Sequence, residues 1–239
     1  MIGLGTIINT AAILIGGLAG ALFGKFLNER IQDTLTKVCG VSTVMISVAG
    51  AMEGMLKIEG NTLSSGGALL IIGCLVLGAL VGELLNLEDG LENFGQWLKN
   101  KSGNAKDKSF VDAFVTASLT VCIGAMAIVG SIEDGIFGDC SILVTKSVLD
   151  LIIVMVLSSS MGKGAIFSAV PVILLQGSVT ALAGFIRPIM TEPALCNLSV
   201  VGNVLIFCVG INLVWGKKVR VANLLPAIIF AVIAAFLPF

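Results

Sequence analysis

The chain has 239 residues, 56% hydrophobic and 12% charged, with a mean hydropathy of +1.06 and a formal net charge of −1. A soluble domain carries about 25% charged residues, so too few polar groups remain to clothe a globule in water, and the natural solvent is lipid. The near-zero charge gives no footprint for nucleic acid, and the absence of histidine removes the commonest general base and metal ligand.

In chain order, the first apolar run is 4–26, with Gly16, Gly17, Gly20 and Gly24 spaced for close helix approach. Its first basic residue, Lys25, follows the apolar stretch, so the run reads as a retained helix and not as a signal peptide. The second run, 37–56, carries a stripe of Cys39, Thr43, Ser47, Gly50 and Gly54, and the third is 66–86. Then comes the one sizeable polar segment, 87–109. Within it "LENFGQWLKNK" sets Leu91, Phe94, Trp97 and Leu98 at helical spacing opposite charges. That pattern fits either an interfacial helix or a plain linker.

The fourth run, 110–131, places Asp112, Thr116, Thr120 and Gly124 every four residues, on one helix face. Such a stripe serves either helix packing or a solvated pathway. The fifth, 141–161, holds Lys146 and Asp150 one turn apart. Each charge costs about 2.5–3.5 kcal/mol at mid-bilayer. The expectation is that Lys146 snorkels outward and leaves Asp150 to another partner, the pair being either a brace or part of a site. The sixth, 164–187, contains Pro171 and "QGSVT", with Gln176, at a packed kink or an opened backbone. The seventh is 197–216, with Asn203, and the eighth 221–238.

Eight helices of this length each span a bilayer. Connections one, three, five and seven hold eleven lysines and arginines, whereas the other three hold Lys57 and Arg187. This bias puts the odd connections in the cytoplasm, both termini outside, and the helix of 87–109 on the cytoplasmic leaflet.

Laid over itself with an offset of 160 residues, the chain gives 13 identities across residues 1–57. "ILIGGLAGALFGKF" falls on "ILLQGSVTALAGFI", and "VSTVMISVAG" on "VGNVLIFCVG", so Thr43 aligns with Asn203. The offset is an odd number of spans, which makes the repeat inverted. The expected fold is an all-α integral membrane protein with repeat units at 1–86 and 162–239, a linker at 87–109, and two inserted spans at 110–161.

The blocks "FVTASLTVCIGAMAIVGSIEDG", "KSVLD", "SAVPVILLQG" and "VANLLPA", with the opening "GTIINTAAILIGGLAGALFGK", resemble the bacterial membrane proteins grouped as domain of unknown function 554, the YdfK/YqgA-like group. The resemblance covers essentially the whole chain. It implies a multi-span protein of the bacterial inner membrane and supplies no substrate.

The expected function is transport of a small solute or ion, by carrier or channel. Pathway candidates are Asp150, Lys146, Thr116, Thr120, Gln176, Asn203, Thr43 and Asp112. The alternative is a non-transporting membrane scaffold or partner subunit. No enzyme, metal or cofactor is expected; the bilayer and the solute are the expected partners, with a homo-oligomer open.

Overall fold

A computed structural model describes residues 2–59, 62–105 and 107–237. The chain is built from α1 (Leu4–Gly24), α2 (Glu29–Met55), a hairpin of β1 (Leu56–Glu59) and β2 (Thr62–Ser65), α3 (Ala68–Leu85), α4 (Leu87–Lys101), α5 (Phe110–Cys122) and α6 (Ala125–Phe137). It continues with α7 (Ser141–Met161), a 3-10 helix (Lys163–Ser168), α8 (Ala169–Ala181), α9 (Ala183–Ile186), α10 (Glu192–Trp215), α11 (Val221–Leu224) and α12 (Pro226–Ala234). The antiparallel hairpin pairs Leu56 with Ser65 and Glu59 with Thr62 in a segment expected to be a plain connection.

Six helices are long and apolar enough to cross a membrane, counting 163–181 as one, with the bent pair α5–α6 as a seventh candidate among the described residues. Their outward faces carry bare apolar side chains. Leu69, Leu80 and Leu84 on α3 are exposed, as are Ile15 on α1 and Ile229 on α12. In water such surface would drive aggregation; in a bilayer it meets lipid. The chain is an integral membrane protein.

Local chemistry sets several helix ends. Asn28 accepts a hydrogen bond from the Ile31 N–H at 2.9 Å and starts α2. Thr191 does the same for the Ala194 N–H, with a proline in the first turn of α10. Pro171 was expected to kink a span near its middle. It lies instead in the first turn of α8, where its missing N–H has no intrahelical partner to lose. The break in that segment falls later, at Leu182 between α8 and α9. The expected eighth span is also divided, because Pro226 opens a new helix after the single turn of α11.

Three glycine-lined pairs organise the bundle. α1 runs parallel to α7. A methyl group built on Gly16, Gly20 or Gly24 would stand 2.4, 2.1 or 2.7 Å from the carbonyl oxygens of Leu151, Met155 and Ser159. No larger residue allows that backbone approach. α2 runs antiparallel to α10, with Gly40 against Leu213, Gly50 against Asn203 and Gly54 against Val200. α3 lies antiparallel to the last segment, Gly82 against Asn223 and Gly78 against Ala227. Between these pairs a core of Ile13, Phe110, Phe114, Leu157, Val201 and Leu205 is sealed.

α4 confirms helical structure in "LENFGQWLKNK" but places its apolar side differently from a helix floating on lipid. Leu98 is buried, and Phe94 meets Phe114 of α5 edge-on at 5.9 Å. Trp97 remains half exposed, with the Lys101 ammonium 4.8 Å from its ring centre.

Candidate functional site

The stripe expected to run along one straight span instead ends at a break. α5 stops at Cys122, Ile123 is extended, and Gly124 takes φ 145° and ψ 148° before α6 begins. The two helices are bent by 61°. Only glycine occupies that backbone region at ease. A break inside an apolar bundle strands the last carbonyls of α5, which need donors.

Lys146 supplies one. Its ammonium donates to the Val121 carbonyl at 2.8 Å and to the Asp150 carboxylate at 2.5 Å. Both side chains are buried, at 8% and 5% exposure. Lys146 therefore does not snorkel: the carbonyl end of α5 and the carboxylate together hold its charge inside. Asp150 sits one residue from the middle of α7 and has a second partner, the Asn9 amide on α1, which donates at 3.0 Å. Asn9 is fully buried. Sequence reasoning overlooked it because a single amide in the apolar run 4–26 has no periodic partner.

Around this pair lies a polar layer shared by α1, α6 and α8. Thr6, Asn9, Ser131, Asp134, Gln176 and Thr180 are all buried. Asp134 accepts the Gly5 N–H at 3.0 Å and so caps the start of α1. Gly135 lies against the Thr180 carbonyl, and the same parallel register sets Ser131 level with Gln176, one turn back. Gly17 lies against Ile166. The rise of the 3-10 turn and of α8 then brings Gln176 level with Thr6 and Asn9. Neither amide atom of Gln176 has a partner among the described residues, nor do Thr6 Oγ1, Asn9 Oδ1, Ser131 Oγ or Thr180 Oγ1. Buried polar groups are nearly always bonded, so this concentration marks the layer.

The remaining candidates separate. Asp112 and Thr116 line an open cavity of about 390 Å³ with Glu88, Glu92, Asn212 and Lys217, at the end of the bundle where the basic loops gather. Thr120 donates to the Thr116 carbonyl at 2.7 Å, one turn before the break. The stripe thus leads from that cavity to Gly124 and to the carbonyl that Lys146 holds. Thr43 and Asn203 do not join the layer. Thr43 donates to the Cys39 carbonyl at 2.8 Å. Asn203 donates to the Ser199 carbonyl at 2.8 Å and packs on Gly50 in the α2–α10 contact.

At the cavity mouth Lys217 bridges to Glu88 at 2.9 Å and also contacts Glu92. Glu88 accepts the Ala222 N–H at 2.9 Å, while Asn223 accepts the Glu88 N–H at 2.7 Å. The starts of α4 and α11 therefore cap each other. Partial burial works against the Lys217 charge; the hydrogen bonds it donates to Glu92 and Glu88 outweigh it and raise its pKa above the ordinary lysine value.

A family model described as a protein of unknown function (DUF554) matches residues 4–236. The chain belongs to the DUF554 family. "Uncharacterized protein YqgA" of Escherichia coli (strain K12) is 29% identical over 232 residues, 95% of this chain and 94% of that protein. "Uncharacterized membrane protein YdfK" of Bacillus subtilis (strain 168) is 30% identical over 233 residues, 97% and 95% of the two chains. No solved structure matches this DUF554 chain.

Proposed function

We propose that the chain is a transport protein for a small solute or ion in the bacterial inner membrane. One observation carries the reading: the broken helix α5–α6 meets a buried charged pair at the middle of α7, beside a buried amide with no partner among the described residues. Discontinuous helices beside buried polar side chains are how secondary transporters build mid-membrane sites. The cavity lined by Asp112 and Thr116 gives this layer an aqueous approach from one side. A brace alone accounts for the Lys146–Asp150 pair but leaves Gln176 without a reason.

The proposal includes eight crossings. α1 and α7 are parallel, α2 and α10 antiparallel, and α3 and α12 antiparallel. The bent pair runs alongside the 3-10 helix and α8 from Phe110 against Gly164 at one end to Gly135 against Thr180 at the other. That course favours a broken span over a re-entrant loop. With alternating crossings every one of these directions is consistent. The bias of basic residues then puts both termini outside.

An inverted repeat is supported in the same way. α2 and α10 end 160 residues apart, at Met55 and Trp215, the offset at which the sequence overlays itself. Their contact is self-symmetric under that offset: Gly40 meets Leu213, and Gly54 meets Val200. A two-fold axis in the membrane plane passing between the two helices produces this pattern.

The test is flux in proteoliposomes. Wild-type protein moves an ion or small solute, and Asp150→Asn slows it while leaving the purified protein monodisperse. Asp150→Asn protein with unchanged flux removes the carboxylate from the mechanism; no flux of ions or small solutes by wild-type protein overturns the reading.

A further inference from the structure

We infer that the layer formed by Thr6, Asn9, Ser131 and Gln176, with Thr180 one turn outward, is a binding site for a dehydrated monovalent alkali cation. The inference rests on the transport reading and adds to it the chemical class of an ion.

Asn9 Oδ1, Gln176 Oε1 and the hydroxyls of Thr6, Ser131 and Thr180 have no hydrogen-bond partner among the described residues, and each residue is buried beyond nine-tenths. They come from three helices brought to one level by the Gly17–Ile166 and Gly135–Thr180 contacts. Elsewhere many hydroxyls within helices turn back on their own backbone, while Ser158 donates to the Gly17 carbonyl of α1 and Ser118 of α5 has no partner among the described residues. Thr10, Thr43, Ser47, Thr120, Ser147 and Ser168 all donate to a carbonyl three or four residues earlier. Ser131 and Thr180 have such carbonyls in reach and leave them. An oxygen that forgoes its nearest acceptor is available to a ligand that needs its lone pairs.

The choice of ion follows from charge and ligand type. All five oxygens are neutral. Calcium and magnesium sites carry carboxylates among their ligands, and soft metals demand thiolate or imidazole; none of the five oxygens is a carboxylate, and no thiolate or imidazole lies in the layer. The adjoining Lys146 and Asp150 cancel each other. The Asp134 carboxyl group lies beside the layer, with one oxygen accepting from the Gly5 N–H at the α1 N-terminus and the other without a partner among the described residues. Acceptor-rich, carboxylate-flanked and otherwise neutral surroundings suit a singly charged hard cation. Within the layer an anion finds a donor only in the Gln176 amide and the hydroxyls, and the carboxyl groups of Asp134 and Asp150 stand on its flank.

The experiment uses purified full-length protein in detergent. Thermal midpoints are compared in sodium, potassium and choline chloride at equal ionic strength, together with direct equilibrium binding of radioactive sodium and rubidium. The expected result is a saturable rise of the midpoint with one alkali cation over choline and a matching binding isotherm. Ser131→Ala and Gln176→Met each weaken that binding about tenfold or more, since each removes one bond to a charge. Identical midpoints in all three salts, with no saturable binding to wild-type protein, overturn the inference and leave water as the occupant. Neither measurement depends on flux, so the two failures are told apart: a failed binding test removes the cation site and leaves solute transport standing, and a failed flux test removes the transport reading.

Discussion

Asn9 on α1 donates to Asp150 on α7 at 3.0 Å, across 141 residues of chain and in a fully buried setting. The bond is possible because the parallel α1–α7 contact is made through glycines, which bring the two backbones close enough for a short amide to reach a short carboxylate. It gives Asp150 two donors, so the charged pair is bonded on both sides and not merely neutralised.

Removing one member of that pair leaves the other charge buried. Lys146→Met is expected to destabilise the protein by about 3–5 kcal/mol, and the double variant Lys146→Met/Asp150→Leu to recover most of the loss. Thermal or denaturant unfolding in detergent, run as a double-mutant cycle, checks this. Additive effects of the two substitutions would show that the residues do not act as a pair.

The glycine contacts predict a sharp contrast between positions. Gly20→Ala places a methyl group 2.1 Å from the Met155 carbonyl and is expected to cost about 1–3 kcal/mol by overpacking. Gly73→Ala on α3 meets nothing within 4 Å and is expected to stabilise by up to about 1 kcal/mol. Unfolding midpoints of the two variants in one detergent give the comparison.

Gly124 holds the break open at a backbone conformation that a side chain strains. Gly124→Ala is expected to cost about 1–3 kcal/mol and to lower flux in proteoliposomes. Gly177→Ala, in open space on α8, serves as the control with flux unchanged. Full activity in Gly124→Ala would mean that the break is incidental to transport.

The tie between α4 and the last segment is expected to fail at high pH. The Glu92 and Glu88 bonds raise the Lys217 pKa in the folded protein above the unfolded value of 10.5. Their stabilisation is complete below that unfolded value and disappears as pH rises through the folded one. Trp97 fluorescence in a Trp215→Phe background reports the loosening of α4. Wild-type protein changes only in strong alkali, whereas Lys217→Met shows the loosened signal already at neutral pH.

The route from the cavity to the break is open to chemical labelling. In a cysteine-free background, Thr116→Cys is expected to react with a membrane-impermeant maleimide from the side that carries the Lys25, Lys163 and Lys217 loops, and not from the other side. Reaction from the opposite side would reverse the orientation, and no reaction from either side would close the proposed approach.

Composition and hydropathy by themselves determined that this chain lives in lipid, roughly where its helices run, and which end of the bundle gathers the basic loops. They do so because burying or solvating a side chain is a local property that each residue carries with it. The Lys146–Asp150 pairing was half legible, since a spacing of four residues allows the contact but does not say which way a long side chain points. The break at Gly124 was not legible. Glycine continues the four-residue stripe as readily as it ends a helix, and periodicity does not distinguish the two. Asn9 was invisible because a lone polar residue in an apolar run acquires meaning only from a helix more than a hundred residues away; Asp134, in "SIEDG" past the expected end of the fourth span at 131, read as part of a connection, whereas α6 runs on to Phe137. Tertiary packing alone brought Thr6, Asn9, Ser131 and Gln176 to one level, because glycine contacts fix how far each helix slides along its neighbours.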